Sequence, residues 1–433
     1  MRSGLLLILL FVTLRAFADP PAVEQWSNGF RLLIVPTTSS QVVSAELLID
    51  YSALDEPPAY QGIRQVLLTS MLQGSRDADG TLIHRRLTAV GGAMEGRVQQ
   101  DMLELSVSMP ANALPIGLSA LKEVVCHPRL SDAAILAAVA QTRQMAAVAP
   151  VGAYETASLL SSQLLYAGHP FATRGLGTPD SLARLTPEVV RGAYQAYILP
   201  NASVLAIVGR CDKDAARNQA QALFGLWQDR PRPVRPAVSR PTLARSQLEL
   251  REAAVTSTCV MLTFPVRGVT DKDFLTLRVI DALLSGGTGA RLFQTLREER
   301  HLAYQVATDF PSQAACSHFS LYAVTDGAGM EETKAALAAE LARLQTTPVG
   351  EDELQRAKAY LKGHYLLSHQ YSAQYAFDLA WHELVGLGAG YDAGLAAAID
   401  AVTPEDMQRV ARNYFTRYYL VVIIPRTTGD MAQ

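Results

Sequence analysis

Arg297 and Tyr304 are the two side chains whose types and spacing point most directly to chemistry. They lie seven residues apart in Gly286–Val306, whose sequence GGTGARLFQTLREERHLAYQV predicts a glycine turn, an amphipathic helix and a strand. A guanidinium and a phenol both donate hydrogen bonds, and fixed donors can stabilise the oxyanion formed when water attacks a peptide carbonyl. The plainer alternative is an arginine paired with acids on its own helix and a tyrosine packed in a sheet.

The glycines at positions 286, 287 and 289 precede the predicted helix, a setting that can bind phosphate. A Walker lysine is missing, and the spacing is wrong for a dinucleotide-binding turn. The glycines therefore indicate a flexible entry to the helix.

Composition limits the possible partners of the chain. Its 433 residues are 49% hydrophobic and 18% charged, which is typical of a globular protein with two or more domains. Residues 1–18 contain two arginines and no acidic residue, so removing them changes the formal charge from −3 to −5. Phosphate binding needs a basic surface, so nucleic acid is excluded as the expected partner.

Residues 1–18 resemble a signal peptide cleaved after Ala18. Arg2 precedes the apolar run Gly4–Val12, and Ala16-Phe17-Ala18 has the small residues of a cleavage site. The run is too short for a stable membrane anchor, and no later stretch is long enough to span a bilayer. We expect export to a bacterial periplasm, with retention by an uncleaved segment as the alternative because Arg15 lies close to the cleavage site.

Four cysteines would meet an oxidising compartment, where three pairings are possible. The four are Cys126, Cys211, Cys259 and Cys316, and the favoured pair is Cys259 with Cys316 because they fall on two predicted strands of the same half. Isolated thiols are at least as compatible with the sequence as any disulfide.

An internal duplication organises the chain. The pattern TPExxxxxxxxY occurs at Thr186–Tyr197 and again at Thr403–Tyr414. Each copy predicts a helix with threonine as N-cap and proline at its first position, followed by a strand. The proline- and arginine-rich stretch 229–242 suits a linker. We therefore expect an N-terminal half at 19–228 and a C-terminal half at 243–433.

Each half begins with predicted strands and a helix, and each later has a long alanine-rich helical region. Because strands and helices mix without regular βαβ alternation, an α+β fold is favoured over a doubly wound sheet. The predicted strands are 30–36, 44–51, 202–208, 260–266 and 418–424, and the helical segments are 62–72, 132–166, 272–284 and 350–369.

The run RLFQTLREERHLAY resembles the second-half signature of the pitrilysin/insulinase zinc-peptidase family. Weaker motifs occur in the family's order along nearly the whole mature chain: Asp55-Glu56-Pro57-Pro58, Gly91-Gly92, Gly168-His169-Pro170-Phe171, Gly177-Thr178-Pro179 and Leu361-Lys362-Gly363. The resemblance implies two related halves, each an antiparallel sheet backed by helices. It also implies that Arg297 and Tyr304 face the scissile peptide.

The family's zinc helix carries HxxEH, but the matching stretch carries Gln65, Leu68 and Thr69 at those three positions. None of these residues can replace two imidazole ligands and a carboxylate base. The family's third ligand is a glutamate seventy to eighty residues downstream, yet no acid occurs between Asp132 and Glu155. We therefore expect no metal in this chain.

The alternative to this loss is a zinc site elsewhere in the chain. None of the eight histidines belongs to an HxxEH or HExxH motif. His364 with His369, and His382 with Glu383, have the wrong spacing, and we expect them on a helical surface.

Some bacterial members of the family work as pairs, and the resemblance implies that this chain is the metal-free subunit of such a pair. The partner would carry HxxEH and hold the zinc, and this chain would complete the partner's site with Arg297 and Tyr304. By itself, this chain would be inert. The substrate would be a peptide or unfolded protein, although Glu95 on a predicted edge strand argues against peptide binding by the first half. The alternative is a structural or chaperone-like homologue.

Overall fold

The structure is a computed structural model that describes residues 21–38, 40–148, 150–173, 175–237 and 239–426. The predicted signal peptide at 1–18 lies outside these ranges. Within them, no helix is both long enough and apolar enough to cross a membrane.

The first half contains a six-stranded sheet with the order β1-β2-β6-β3-β5-β4. Its strands are β1 (Glu24–Gln25), β2 (Arg31–Pro36), β3 (Val42–Ile49), β4 (Ala93–Val98), β5 (Leu103–Pro110) and β6 (Ser203–Gly209). Its helices are α1 (Ile63–Leu72), α2 (Gly80–Thr88), α3 (Leu114–Cys126), α4 (Asp132–Ala147), α5 (Ala153–Leu165), α6 (Pro179–Ala183), α7 (Pro187–Tyr197) and α8 (Lys213–Phe224).

The second half contains a five-stranded sheet with the order β7-β11-β8-β10-β9. Its strands are β7 (Gln247–Ala253), β8 (Thr258–Arg267), β9 (Gln305–Asp309), β10 (Cys316–Thr325) and β11 (Tyr419–Pro425). Its α-helices are α9 (Phe274–Ser285), α10 (Met330–Thr346), α11 (Glu351–Ser368), α12 (Ser372–Leu384), α13 (Tyr391–Asp400) and α14 (Pro404–Tyr414), and a π-helix spans Phe293–Glu299.

The two sheets repeat one topology, which confirms the predicted duplication and the α+β fold. The order β2-β6-β3-β5-β4 matches β7-β11-β8-β10-β9, with β1 added at one edge. In each half the strand after the TPE helix, β6 or β11, inserts between the first two strands. It runs parallel to the first of them, so each expected antiparallel sheet contains one parallel pair.

Both TPE helices begin as the sequence predicts. Thr186 accepts a hydrogen bond from the backbone N–H of Val189, and Thr403 accepts one from Asp406. The strands that follow are each displaced by one residue from their predicted bounds. The predicted helical region 132–166 is divided in two, as α4 and α5.

One helix of each half packs on the sheet of the other half. Helix α12, from the second half, packs on β3 and β6 of the first sheet, whereas α5, from the first half, packs on β8 and β11 of the second. The contacts are apolar: Ala376, Leu379 and Ala380 on α12 with Leu33, Leu48, Val204 and Ala206, and Ala157 and Leu160 on α5 with Met261, Val421 and Ile423. The halves are therefore joined through their cores as well as through the linker.

Two arginines fix the stretch between the halves to the first half. The described residues of 229–242 form no helix or strand. Arg235 makes a bidentate pair with the buried Asp55, at 2.9 and 2.8 Å, and also contacts Asp50 at 2.6 Å. Arg232 bonds to Asp50 as well. The linker follows a defined path here, and the boundaries of the two domains stay predictions.

The favoured disulfide between Cys259 and Cys316 is wrong. All four cysteines are free, and the β8–β10 register pairs Cys259 with Val324 but Cys316 with Arg267. The two thiols thus lie near opposite ends of a ten-residue ladder, farther apart than the ~7 Å between Cα atoms that a disulfide permits. Burial raises the pKa of both thiols to about 12, which makes them poor nucleophiles.

Because α5 and α12 each complete the core of the other half, we predict that neither half folds alone. A fragment of residues 19–228 would expose the face that α12 covers, where each apolar side chain contributes about 1.5–3 kcal/mol. The sum is comparable with the whole stability of a domain, about 5–15 kcal/mol. We expect non-cooperative melting and dye binding for this fragment, and a cooperative transition when 243–433 is co-expressed. Cooperative melting of the isolated fragment would contradict the interlocked packing.

A second prediction concerns the linker arginines. Arg235→Ala should lower the free energy of unfolding at pH 7 by about 1–2 kcal/mol, since the pair is only partly shielded from water. Arg240→Ala, in the same linker but in no ion pair among the described residues, is the control.

The effect should depend on pH in a defined direction. Burial acts to raise the pKa of Asp50, but Arg232 and Arg235 outweigh it and hold the pKa below the ordinary 3.8. The stabilisation is complete above that value and is lost as the pH falls through the lower folded-state pKa. Denaturant titrations from pH 7 to pH 3 should therefore show the difference between wild type and Arg235→Ala shrinking at the acid end. A constant difference would exclude the ion pair as its cause.

Candidate functional site

The segment that carries Arg297 and Tyr304 is a π-helix followed by a sharp return into the edge strand β9. Leu296, Leu302 and Ala303 are buried, and the backbone N–H of Leu302 bonds to the carbonyl of Leu296 at 2.7 Å. These contacts anchor the segment in the core. The predicted amphipathic helix is thus wound as a π-helix, a rare form that is frequent at functional sites.

Arg297 holds the backbone of Tyr304 instead of pairing with an acid. Its Nη1 donates to the carbonyl oxygen of Tyr304 at 2.8 Å, and its guanidinium lies 5.1 Å from the ring centre of Phe293. No ion pair in the described part of the chain involves Arg297, although Glu298 and Glu299 are its neighbours in sequence. The structure therefore does not have the helix-surface ion pair of the plainer alternative.

Tyr304 lies just before β9, the outer strand of the second sheet. Its backbone N–H bonds to the carbonyl of Val324 at 3.1 Å, and its side chain points away from the core, since the residue is 52% exposed. No hydrogen bond of its hydroxyl is found among the described residues. The phenol is thus not packed in the sheet, and it is free to donate to a ligand.

His301 makes the turn between Arg297 and Tyr304, a role that the sequence analysis did not predict. Its φ of 52° lies in the left-handed region, which is uncommon for a residue other than glycine. Its Nδ1 lies 3.1 Å from the carbonyl of Arg297. The turn brings Tyr304 back toward Arg297, and only a left-handed glycine at this position would have been a signal in the sequence.

The glycine turn before the π-helix packs closely against α11. Gly287 has a φ of +86°, and a Cβ at Gly286 would come within 2.8 Å of the Tyr360 ring on α11. The glycines thus permit close approach of α11, which is a more specific role than the flexible entry expected from sequence.

Helix α1 brings Gln65, Leu68 and Thr69 together, as the alignment with HxxEH requires. Gln65 Nε2 donates to Thr69 Oγ1 at 3.2 Å, so the two positions of the histidine ligands are joined by a hydrogen bond. Leu68, at the position of the catalytic glutamate, is 1% exposed. A Cβ at Gly96 would lie 3.2 Å from Leu68 Cδ1, so the leucine packs over β4 where a base would contact water.

The start of α1 is fixed by a buried ion pair. Glu56 accepts hydrogen bonds from the backbone N–H groups of Gly62 and Arg64, and pairs with the Arg64 side chain at 3.1 Å. Burial raises the pKa of Glu56 although Arg64 opposes the shift. The helix is therefore held in place by groups that do not depend on a metal.

The donors around α1 do not fit a zinc ion. The buried positions of α4, which packs on α1, are Ile135, Ala138, Val139 and Thr142, and none carries a carboxylate. Across the ranges that the structure describes, no three histidine, cysteine or acidic side chains are placed to hold a metal.

His364, His369 and His382 each contact a neighbouring side chain. His364 is exposed and stacks on Tyr360, as expected for a helix surface. His369 lies 3.3 Å from Asp378. His382 is buried and lies 3.0 Å from Asp392, so its expected surface position is wrong. Helix α12 packs in the interior along a large apolar side, and this explains why His382 is buried.

The site residues form two separate groups. Arg297 and Tyr304 are brought together in the second half, and Gln65, Leu68 and Thr69 in the first. No hydrogen bond or ion pair between described residues joins the groups. A cavity of about 600 Å³ between the halves is lined by Gln99–Met102 and by side chains of α11, α12 and α13, and neither group contributes to it.

The fold agrees with comparisons to known proteins. A family model described as insulinase (peptidase family M16) matches residues 31–159, and one described as the peptidase M16 inactive domain matches 184–361. The chain belongs to the insulinase, or M16, peptidase family.

Relatives are distant but similar over nearly their full length. An uncharacterized zinc protease of Streptomyces coelicolor is 24% identical, covering 90% of this chain and 86% of its own. An uncharacterized zinc protease of Bacillus subtilis is 21% identical, covering 93% and 98%. A Helicobacter pylori protease has a TM-score of 0.84 at 18% identity, covering 94% of this chain and 100% of its own. A Pseudomonas fluorescens M16 inactive domain has a TM-score of 0.83 at 18% identity, covering 94% and 98%.

We predict that the purified chain retains no stoichiometric zinc after dialysis, because an amide and a hydroxyl are weak zinc ligands. Gln65→His combined with Thr69→His should give a helix with two imidazoles at i and i+4 that takes up more zinc than the wild-type chain, although it still lacks a third protein ligand. Elemental analysis of both proteins provides the measurement. One zinc held tightly by the wild-type chain would show that the metal site has been placed wrongly.

Proposed function

We propose that this chain is the metal-free subunit of a heterodimeric zinc metallopeptidase in the periplasm. It supplies Arg297 and Tyr304 to the HxxEH zinc site of a homologous partner, and it cleaves no peptide by itself. The observation that carries the proposal is the state of these two residues: both are exposed, and among the described residues Arg297 has no acidic partner and the Tyr304 hydroxyl has no hydrogen bond.

The chemistry suits peptide-bond hydrolysis. The partner's zinc would activate water, and the attack would place negative charge on the carbonyl oxygen of the substrate. Arg297 keeps one guanidinium nitrogen on the Tyr304 carbonyl, which orients the remaining N–H groups. A guanidinium fixed in this way, beside a phenol that lacks a partner, can donate to the oxyanion without first being rearranged.

The first half supports a division of labour between subunits. The histidine positions are occupied by a hydrogen-bonded Gln65 and Thr69, and the base position by a buried Leu68. The buried face of α4 carries no carboxylate either, so the described residues around α1 offer no group that could activate water. In the proposed complex, the zinc and the base come from the partner.

Mutation of the pair in a mixed complex tests the proposal. With a co-purified HxxEH partner, Arg297→Ala or Tyr304→Phe should leave assembly intact and lower kcat about a hundredfold, the usual cost of one lost oxyanion donor. Zinc content of the partner should not change. Arg300→Ala is a matched control, since Arg300 is an exposed arginine one residue beyond the π-helix and pairs with Glu332.

The pattern of the loss separates mechanism from assembly. A transition-state contact lowers kcat with little effect on association, whereas an interface contact weakens association first. If both variants cleave peptides as fast as the unmodified pair, the split site is excluded. The chain is then a structural or chaperone-like homologue, the alternative that needs neither side chain.

A further inference from the structure

We propose that the first half carries a binding pocket for a medium-chain carboxylate, an anion with an apolar tail. The pocket has a volume of about 480 Å³ and lies where the C-terminal ends of α3, α7 and α8 meet. Arg76, from the turn after α1, lines it as well. The proposal does not rest on the proposed function, because Arg297, Tyr304 and the α1 motif contribute nothing to this pocket.

Three cationic side chains line the pocket without a partner. Lys122 lies near the end of α3, Arg76 lies in the turn after α1, and Arg230 lies in the chain that follows α8. Among the described residues, none of the three side chains makes an ion pair or a hydrogen bond. No acidic side chain of that part of the chain lines the pocket. Unpaired charges of one sign that converge on a concave site attract an ion of the opposite sign.

The ends of the three helices do not account for these cations. A helix C-terminus carries roughly half a negative charge, so three of them cancel only about half of three full positive charges. The last carbonyls of α3 and α8 also accept from neutral donors. The Tyr194 hydroxyl donates to Val125 and Cys126 at 2.9 and 3.1 Å, and the Asn28 amide donates to Phe224 at 3.0 Å. Net positive charge therefore remains in the pocket.

Two titratable groups in the pocket do not compete with a bound anion. Burial lowers the pKa of His127, and Lys122 and Arg76 lower it further, whereas Asp77 opposes them. Burial raises the pKa of the Cys126 thiol to about 12, although Lys122 acts to lower it. The imidazole and the thiol are therefore both neutral near pH 7, and neither adds a negative charge.

The backbone holds two of the cationic residues in place. The N–H of Arg76 donates to the carbonyl of His127 at 2.9 Å, and the side chain of Asn201 donates to the carbonyl of Arg230 at 3.1 Å. Only the side chains would have to be ordered when an anion binds, which keeps the cost of binding low. A guanidinium at either position can donate to both oxygens of a carboxylate.

The rest of the wall is apolar, which defines the second part of the ligand. Ile198 and Leu199, just after α7, are buried, and Leu223 on α8 is partly buried. Leu226 is 91% exposed, and Trp227 is partly buried beside it. The pocket is larger than an inorganic ion needs, and a hydrocarbon chain on these walls would remove apolar surface from water.

A long polyanion fits this site less well than a single carboxylate. The chain as a whole is acidic, with a formal charge of −3, so the surface outside the pocket repels repeated negative charges. A single anionic group reaches the three cations without meeting that surface.

Calorimetric titration of the full chain near pH 7, without any partner, tests the inference. The probe is octanoate, with 1-octanol as its neutral analogue and inorganic phosphate as an anion without a tail. We expect 1-octanol to bind roughly ten- to a hundredfold more weakly, the cost of lost charged hydrogen bonds. From butanoate to octanoate, each added methylene should strengthen binding about two- to fourfold.

Two results of this titration would overturn the proposal. Equal affinity for octanoate and 1-octanol would show that the cations do not hold the ligand. Phosphate binding as tight as octanoate binding would show a plain anion site without a place for a hydrocarbon chain.

Three charge variants and one control locate the anionic group. Arg76→Gln, Lys122→Gln and Arg230→Gln should each weaken octanoate about three- to tenfold and leave 1-octanol unchanged. Arg85→Gln is the control, because Arg85 is also exposed and in no ion pair among the described residues, but lies on α2 outside the pocket. Unchanged binding by all three pocket variants, or an equal loss in the control, would contradict the assignment.

A fourth variant locates the apolar tail. Leu226→Ser should weaken octanoate about three- to tenfold and leave phosphate unchanged, since only the hydrocarbon contact is lost. The side chain is exposed, so its removal should not disturb the core. Val234→Ser is the matched control, because Val234 is 94% exposed and does not line the pocket. A Leu226→Ser protein that binds octanoate as tightly as the wild-type chain would exclude this wall as the site of the tail.

Discussion

The reciprocal packing of α5 and α12 is the contact on which the rest of the structure depends. Neither sheet has both faces covered by helices of its own half, so the core of each is completed by the other. Additional bonds reinforce this contact, such as that from Arg31 on β2 to Glu383 on α12. The outer strands β4 and β9 therefore keep a fixed relation to each other, and a shared scaffold positions both groups of site residues.

The two halves have the same topology but have kept different chemistry. On α1, each changed residue has a structural use: Gln65 and Thr69 bond to each other, and Leu68 fills the space over Gly96. Around Arg297 and Tyr304 the opposite holds, because backbone and apolar contacts fix the segment and leave the polar side-chain groups largely unused. The described residues of α1 thus serve the packing of the first half, whereas the segment of Arg297 and Tyr304 leaves polar groups exposed.

Local signals predicted most of the fold, whereas features set by distant contacts were missed. The TPE motif located two helices and two strands to within one residue, because caps act over a single turn. The sequence does not predict that α5 and α12 each pack on the sheet of the other half, since an apolar helix face is compatible with either sheet. The same limit explains the buried His382 and the wrong pairing of Cys259 with Cys316, which depends on strand register.

An outer strand with free backbone groups is also a hazard, because a second molecule can extend the sheet. The solvent-facing positions of β4 include Glu95 and Arg97, an ion pair at the open edge. Charged side chains there oppose association of identical edges, since each approaching copy would have to desolvate them. This ion pair thus protects the chain from assembling into fibres, and replacing both residues with apolar ones would favour aggregation.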